Sequence, residues 1–159
     1  MSDLREIAPA FVEMAHRIVW APTATVDADG RPWTRVLHPL WDWDGEALTG
    51  IIATSPLSTK AAHLAAHPDV SLTYWDATHD TCTAQCHTEW DLSDEGRAAG
   101  WEALETAPQP VGYDPSIIPG WDTPTSEGFG ILRLTPWRLH LMDGSMMLRG
   151  EGRLLTWRS

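Results

Sequence analysis

Two acidic turn signals, Asp27-Ala28-Asp29-Gly30 and Asp44-Gly45, cut the early part of this chain into short extended runs, and this punctuation constrains the fold most strongly. Residues 19–26, 33–43 and 46–53 carry the β-branched, aromatic and apolar residues of strands and stop at these turns. Connections this short cannot supply the crossover of a dozen or more residues that parallel neighbours need. The three runs therefore read as an antiparallel meander, with Asp44-Gly45 favouring a tight two-residue hairpin. That meander places residues 33–43 beside residues 46–53.

Residues 70–75 and 81–90 read as a further antiparallel pair. Residues 129–134 and 137–142 follow as two strands split by Thr135-Pro136, and residues 154–158 form a short final strand. Helical spacing appears in residues 3–17, where Asp3 is the N-cap and Ile7, Ala10, Phe11, Met14 and Ala15 recur on one face. Pro9 falls inside that pattern and is expected to kink it or delay its start. A short helix over residues 58–67 is stopped by Pro68, and Ser93-Asp94-Glu95 opens another that runs through Trp101 and Leu104. Residues 106–128 form a long loop rich in proline and glycine, and loops of this length are usually functional or mobile. The expectation is one domain, residues 1–159, mainly β with peripheral helices, in which six main antiparallel strands make a small closed or half-closed barrel.

Charge limits the partners. A net charge of −11 without any cluster of cations disfavours nucleic acid and anionic membranes. No apolar run approaches the ~20 residues needed to span a bilayer. Met1-Ser2-Asp3-Leu4-Arg5-Glu6 lacks the basic and apolar regions of a signal peptide, so a cytoplasmic protein is expected. Cys82 and Cys86 are too close in sequence for a disulfide framework.

The chain holds ten arginines but one lysine, Lys60, and its place carries chemistry. It ends the segment Thr54-Ser55-Pro56-Leu57-Ser58-Thr59-Lys60, where a strand gives way to a helix with Ser58 at the N-cap. The first helical turn presents free N–H groups and a partial positive charge, which disfavours a cation. A bound anion reverses that sign, because N–H groups, hydroxyls and ammonium then converge on it. Arg35, on the strand expected beside residues 46–53, supplies a second wall for such a site. The plainer reading is a capped surface helix and a surface arginine paired with one of the 22 acidic residues.

The order of these features resembles the pyridoxamine 5′-phosphate oxidase-like family. The strand, Gly30-Arg31-Pro32, Arg35 on the next strand, Asp44-Gly45, Thr54, Ser58-Thr59-Lys60, Leu64 and His67-Pro68-Asp69-Val70 carry the likeness, which is best over residues 18–75. The resemblance implies the flavin-binding split β-barrel and an FMN shared at a homodimer interface. It places the phosphate on Arg35, Thr54, Ser55, Thr59 and Lys60, and the ring along Val36, Leu37 and His38. Gln85 matches a glutamine that the family often supplies from a later strand. The expected activity is a flavin-dependent oxidoreductase acting on a small organic substrate. The cofactor would perform the redox chemistry, and His38 is the residue to test for proton transfer. Leu40 and Thr59 stand where the vitamin-salvage oxidase has basic residues, and no counterpart of its C-terminal substrate-binding residues appears around Trp157-Arg158. Oxidation of pyridoxamine phosphate itself is therefore not expected. Relatives that use a deazaflavin or haem, and a non-enzymatic binding module, are the alternatives.

Other signals weigh less. His79, Cys82, Cys86 and His87 have metal-ligating chemistry, but on one strand Cys82 and Cys86 share a face while His87 points away. The cysteines read as small core residues. His63 and His67, four apart on the short helix, read as a polar helix surface and not as ligands. No Gly-x-Ser-x-Gly elbow supports a hydrolase. By period two, Trp41 and Trp43 are expected to share a face with Trp33 and Arg35, and Trp101 and Trp121 to cover a planar ligand or pin the long loop.

Overall fold

The computed structural model describes residues 1–159. Helix α1 (Leu4–Ile18) starts at Asp3, whose carboxylate accepts a hydrogen bond from the Arg5 N–H at 2.9 Å. Pro9 lies within the helix without ending it, and Ile7, Phe11 and Met14 form its buried stripe. Val19 caps the far end with φ 72°, so the following strand starts at Ala21 and not at residue 19.

Eight strands follow where six were expected: β1 (Ala21–Val26), β2 (Pro32–Leu37), β3 (Pro39–Trp43), β4 (Leu48–Thr54), β5 (Asp69–Trp75), β6 (Thr81–Asp91), β7 (Gly130–Met142) and β8 (Leu154–Arg158). Helix α2 (Thr59–Ala66) joins β4 to β5, α3 (Asp94–Thr106) follows β6, and α4 (Gly144–Arg149) precedes β8. All strand pairings are antiparallel, in the order β2-β1-β5-β6-β7-β4-β3, with β8 also on β7. The fold is mainly β, with its helices at the periphery.

Two differences from the sequence reading shape the site. The run over residues 33–43 is two strands, because the chain changes partners at His38. Pro39 has no N–H to donate and holds the residue before it extended, which suits a strand switch. β2 pairs with β1, whereas β3 pairs with β4. Arg35 and Trp33 are thus at the opposite end of the sheet order from Trp41, Trp43 and β4, which corrects the expected adjacency. Since the two end strands are one residue apart in sequence, the sheet must roll into a barrel. β2 and β3 share no ladder, so the barrel keeps an open seam at His38.

The second difference is β7, which is continuous through Thr135-Pro136. Its Gly130–Leu134 half pairs with β4 and its Arg138–Met142 half with β8. Between them a bulge opposite Gln85/Cys86 absorbs the proline, which cannot serve a regular ladder position.

The core packs the α1 stripe against the inward residues of the barrel. Phe11 meets Trp41 and Tyr74 edge-on at 5.0 and 6.2 Å, and the Trp41 indole N–H donates to the Tyr74 hydroxyl at 2.8 Å. Cys82 and Cys86 are fully buried on this inward face, and burial raises both thiol pKa values far above their ordinary range. Trp101, Trp121, Phe129 and Ile131 make a second, smaller cluster that pins the long loop to the barrel. No helix is long and apolar enough to cross a membrane.

Candidate functional site

At the end of β4, the chain turns through Ser55–Ser58 into α2. The Ser58 residue is extended and occupies the N-cap position, but its side chain does not cap the helix. Its hydroxyl donates to the Ser55 carbonyl at 2.7 Å and accepts from the Lys60 ammonium at 2.6 Å. Lys60 is 8% exposed, and Thr54 is also buried; Ser55 is half-buried and Thr59 exposed. Burial, then the charge of Arg35, lowers the Lys60 pKa from its ordinary value.

Arg35 reaches this corner by a route other than the expected one. In β2 it is the register partner of Thr23 on β1, and paired residues share a face, so its side chain lies on the inward side against α2. Its Nη1 donates to the Thr25 hydroxyl at 2.6 Å and to the carbonyls of Trp33 and Thr23 at 3.0 and 3.3 Å. Its Nε and Nη2 make no bond within the chain, and neither is sealed from solvent. Burial lowers the Arg35 pKa as well. Seven ion pairs occur in the protein and none involves Arg35 or Lys60. Two partly desolvated cations thus stand together without a counter-ion in a chain of net charge −11. That arrangement is unfavourable by itself and is relieved by an anion.

Beyond Arg35 the strand leads directly into an apolar cleft of about 260 Å³ in the barrel seam. Val36, Leu37 and His38 form one side, Trp20 and Ala53 flank them, and Tyr113, Ile117, Ile118 and Trp121 of the long loop complete it. At a strand rise of about 3.3 Å per residue, Arg35 and His38 are roughly 10 Å apart along the backbone. The cation pair and the cleft thus adjoin along β2, with Arg35 facing inward and Val36 outward. One is charged and the other apolar.

His38 is the one strongly polar side chain in the cleft. Its Nε2 is 2.7 Å from the Val111 carbonyl, which can only accept, so Nε2 carries the proton and Nδ1 keeps its lone pair. The ring lies between Trp20 at 5.0 Å and Tyr113 at 4.8 Å. Burial lowers the His38 pKa, and the Val111 bond opposes it only in part. Burial, and then the nearness of His38, lowers the His16 pKa too, and its Nε2 accepts from the Trp41 backbone N–H at 3.0 Å.

Arg35 and Lys60 stand at the β4–α2 corner with Thr54, Ser55 and Thr59, and Val36, Leu37 and His38 line the cleft, whereas Gln85 belongs to neither group. Gln85 is on the outward face of β6, where it donates to Ser71 Oγ at 3.2 Å, while its neighbours Ala84 and Cys86 point inward. Within one chain it is thus on the other side of the sheet from the Arg35 guanidinium. Trp101 packs on Phe129 at 5.0 Å and pins the loop, whereas Trp121 both pins it and lines the cleft.

The sequence reading missed Thr25 and His63. His63 is 5% exposed and its Nδ1 is 2.9 Å from the Thr25 hydroxyl, while His67 is exposed. The expected polar helix surface is therefore wrong for His63. The signal was present: Lys60, His63 and Leu64 recur at i, i+3 and i+4 and form the buried stripe of α2.

The profile of the pyridoxamine 5′-phosphate oxidase family matches residues 7–118. No curated protein matches the chain. Among solved structures, a protein from Clostridium acetobutylicum related to general stress protein 26 of B. subtilis, of the pyridoxinephosphate oxidase family, superposes with a TM-score of 0.70 at 11% identity, covering 97% of this chain and 95% of that one. A pyridoxamine 5′-phosphate oxidase-related, FMN-binding protein from Nostoc punctiforme gives 0.65 at 17% identity, over 100% and 97% of the two chains. An F420 reductase gives 0.56 at 17% identity, over 80% and 93%. At these identities the structural likeness is one of fold.

Proposed function

Because this chain belongs to the pyridoxamine 5′-phosphate oxidase family, we propose that it binds FMN across the cation pair and the cleft and is a flavin-dependent oxidoreductase for a small organic substrate. The observation that carries this reading is the unpaired couple Arg35 and Lys60 at one end of an apolar cleft. A phosphate monoester supplies the missing counter-ion, and a flat apolar ring suits a cleft walled by Trp20, Tyr113 and Trp121.

Arg35, Lys60, Ser55, Thr59 and the open first turn of α2 would hold the phosphate, with Thr54 beside them at the end of β4. Bound flavin supplies the acceptance and return of a hydride or electrons. The protein contributes placement: the cleft excludes water from the ring, and the Val36 to His38 backbone lines it. His38, neutral with a free Nδ1 lone pair, can take a proton there.

Leu40 and Thr59 leave the site with fewer cations than the vitamin-salvage oxidase carries, so pyridoxamine phosphate is not the proposed substrate. The same scarcity disfavours a deazaflavin, whose anionic tail would find only Arg35 and Lys60. The outward faces of β1 and β2 carry Val36, with Trp20 nearby, both more than half exposed. We extend the proposal to a homodimer that covers this face and brings the partner subunit against the seam.

The test is an absorption spectrum of the purified protein, followed by titration with FMN, a deazaflavin coenzyme and haem. Flavin bands and FMN binding are expected, and sedimentation should show two chains. A colourless protein that binds none of the three would overturn the cofactor reading.

A further inference from the structure

Arg35 holds only one of its nitrogens in the chain, and the hydroxyl that makes its shortest bond is itself held. Thr25 Oγ1 accepts from Arg35 Nη1 at 2.6 Å and lies 2.9 Å from His63 Nδ1. A hydroxyl can accept two hydrogen bonds and donate one. Arg35, Thr25 and His63 therefore form one continuous run of side-chain contacts, with Thr25 Oγ1 shared between the guanidinium and the imidazole.

The far end of this relay is clamped. The His63 ring meets the Trp33 indole at 5.4 Å, and Trp33 Nε1 donates to Asp27 at 2.9 Å. Asp27 also accepts from the N–H groups of Asp29 and Arg31 in the β1–β2 turn. Thr25 is 1% exposed and His63 5%, so solvent offers little to replace either partner. Unlike two carbonyl acceptors on the backbone, the Thr25–His63 pair is a side-chain device for choosing where the guanidinium stands.

Building on the FMN reading above, we propose that Thr25 and His63 are positioning residues for Arg35: they anchor Nη1 so that Nε and Nη2 stay open to a phosphate monoester, and thereby set the preference for a phosphorylated flavin over the unphosphorylated one. A planar fork presents two parallel N–H groups to a phosphate only when its orientation is held. Without the relay only the Trp33 and Thr23 carbonyls, at 3.0 and 3.3 Å, hold Nη1, and its shortest bond is lost. The cleft is unaffected, because neither residue lines it.

Fluorescence titrations with FMN and with riboflavin separate the two ends. Thr25→Val keeps the shape and strand preference of the side chain and removes the hydroxyl; His63→Leu removes the imidazole partner; His63→Asn restores a hydrogen-bonding partner near the Nδ1 position. Thr25→Val and His63→Leu should each weaken FMN about 10-fold and leave riboflavin within about twofold. The double variant should be no weaker than either single one, as expected of residues acting in series, and His63→Asn should bind FMN nearly as the wild type does. Parallel loss of both flavins would overturn the proposal, since it would mark a general structural role. Unchanged FMN affinity in Thr25→Val and His63→Leu, with loss in Lys60→Ala, would overturn the relay and leave the flavin reading standing. A wild-type protein that binds neither flavin would overturn both.

Discussion

Replacing Lys60 by methionine should move two measurements in opposite directions. Methionine keeps the apolar stem that fills this nearly buried position and removes the ammonium. In the chain alone, Nζ has one partner, Ser58 Oγ, and leaves its other donors to a ligand. One charge-assisted bond to a phosphate is worth about 1.5–3 kcal/mol, so FMN should bind roughly 10- to 150-fold more weakly. The ligand-free protein should become more stable, because burial and the Arg35 charge both work against the ammonium there. The pH dependence fixes the cause. A lysine pKa lowered in the fold means that the unfolded chain binds the proton more tightly. The penalty is complete at neutral pH and fades as pH climbs through the folded value towards the ordinary 10.5. The melting advantage of Lys60→Met over the wild type should therefore shrink across that alkaline range. Isothermal titration with FMN and thermal melts of the ligand-free proteins read both quantities. Unchanged FMN affinity, or a ligand-free variant that melts lower, would refute the account of an uncompensated cation.

Three further outcomes follow from other parts of the molecule. His16 and His38 both have pKa values lowered by burial, so the unfolded chain takes up protons first; stability should fall as pH drops below about 6.5, and His16→Gln/His38→Gln should flatten that slope in urea titrations. Cys82 and Cys86, fully buried with raised pKa values, should resist thiol reagents at pH 8 in the native protein and react with two equivalents once it is unfolded. Gly50→Ala would put a Cβ between 2.7 and 3.2 Å from atoms of the Trp41 indole, which Phe11 and Tyr74 hold in place. The cost should be about 1–3 kcal/mol, measured as a lower urea midpoint.

What the sequence made legible was local. Periodicity and turn chemistry placed every helix of the barrel's periphery except α4, and they placed the β4-to-α2 junction with its lone lysine. Partner choice was not local. Nothing in residues 33–43 says that the run ends one ladder and begins another at His38, because both halves alternate like strands. Arg35 was expected near Lys60 through a β2–β4 pairing that does not exist; β1, which lies under α2, brings them together instead. Pro136 read as a strand break because a bulge depends on the partner strand. His63 was assigned by its tolerance of solvent, yet the helix stripe it shares with Lys60 and Leu64 pointed inward. The loop residues Tyr113, Ile117 and Ile118 carried no motif at all, since an apolar wall is defined by what it faces.

The seam at His38 also has a consequence in time. Arg35 and Lys60 lie in the first part of the chain and come together through β1, β2 and α2, which are close in sequence. The cleft wall, by contrast, waits for β7, which binds β4 by pairing Gly50 with Leu134 and holds the loop through Ile131. Such long-range closure is the slow part of folding. A nascent chain can thus gather its two cations well before it has anywhere to seat a ring. A ligand held across both ends ties the early half to the late half, so its stabilisation should appear chiefly as slower unfolding.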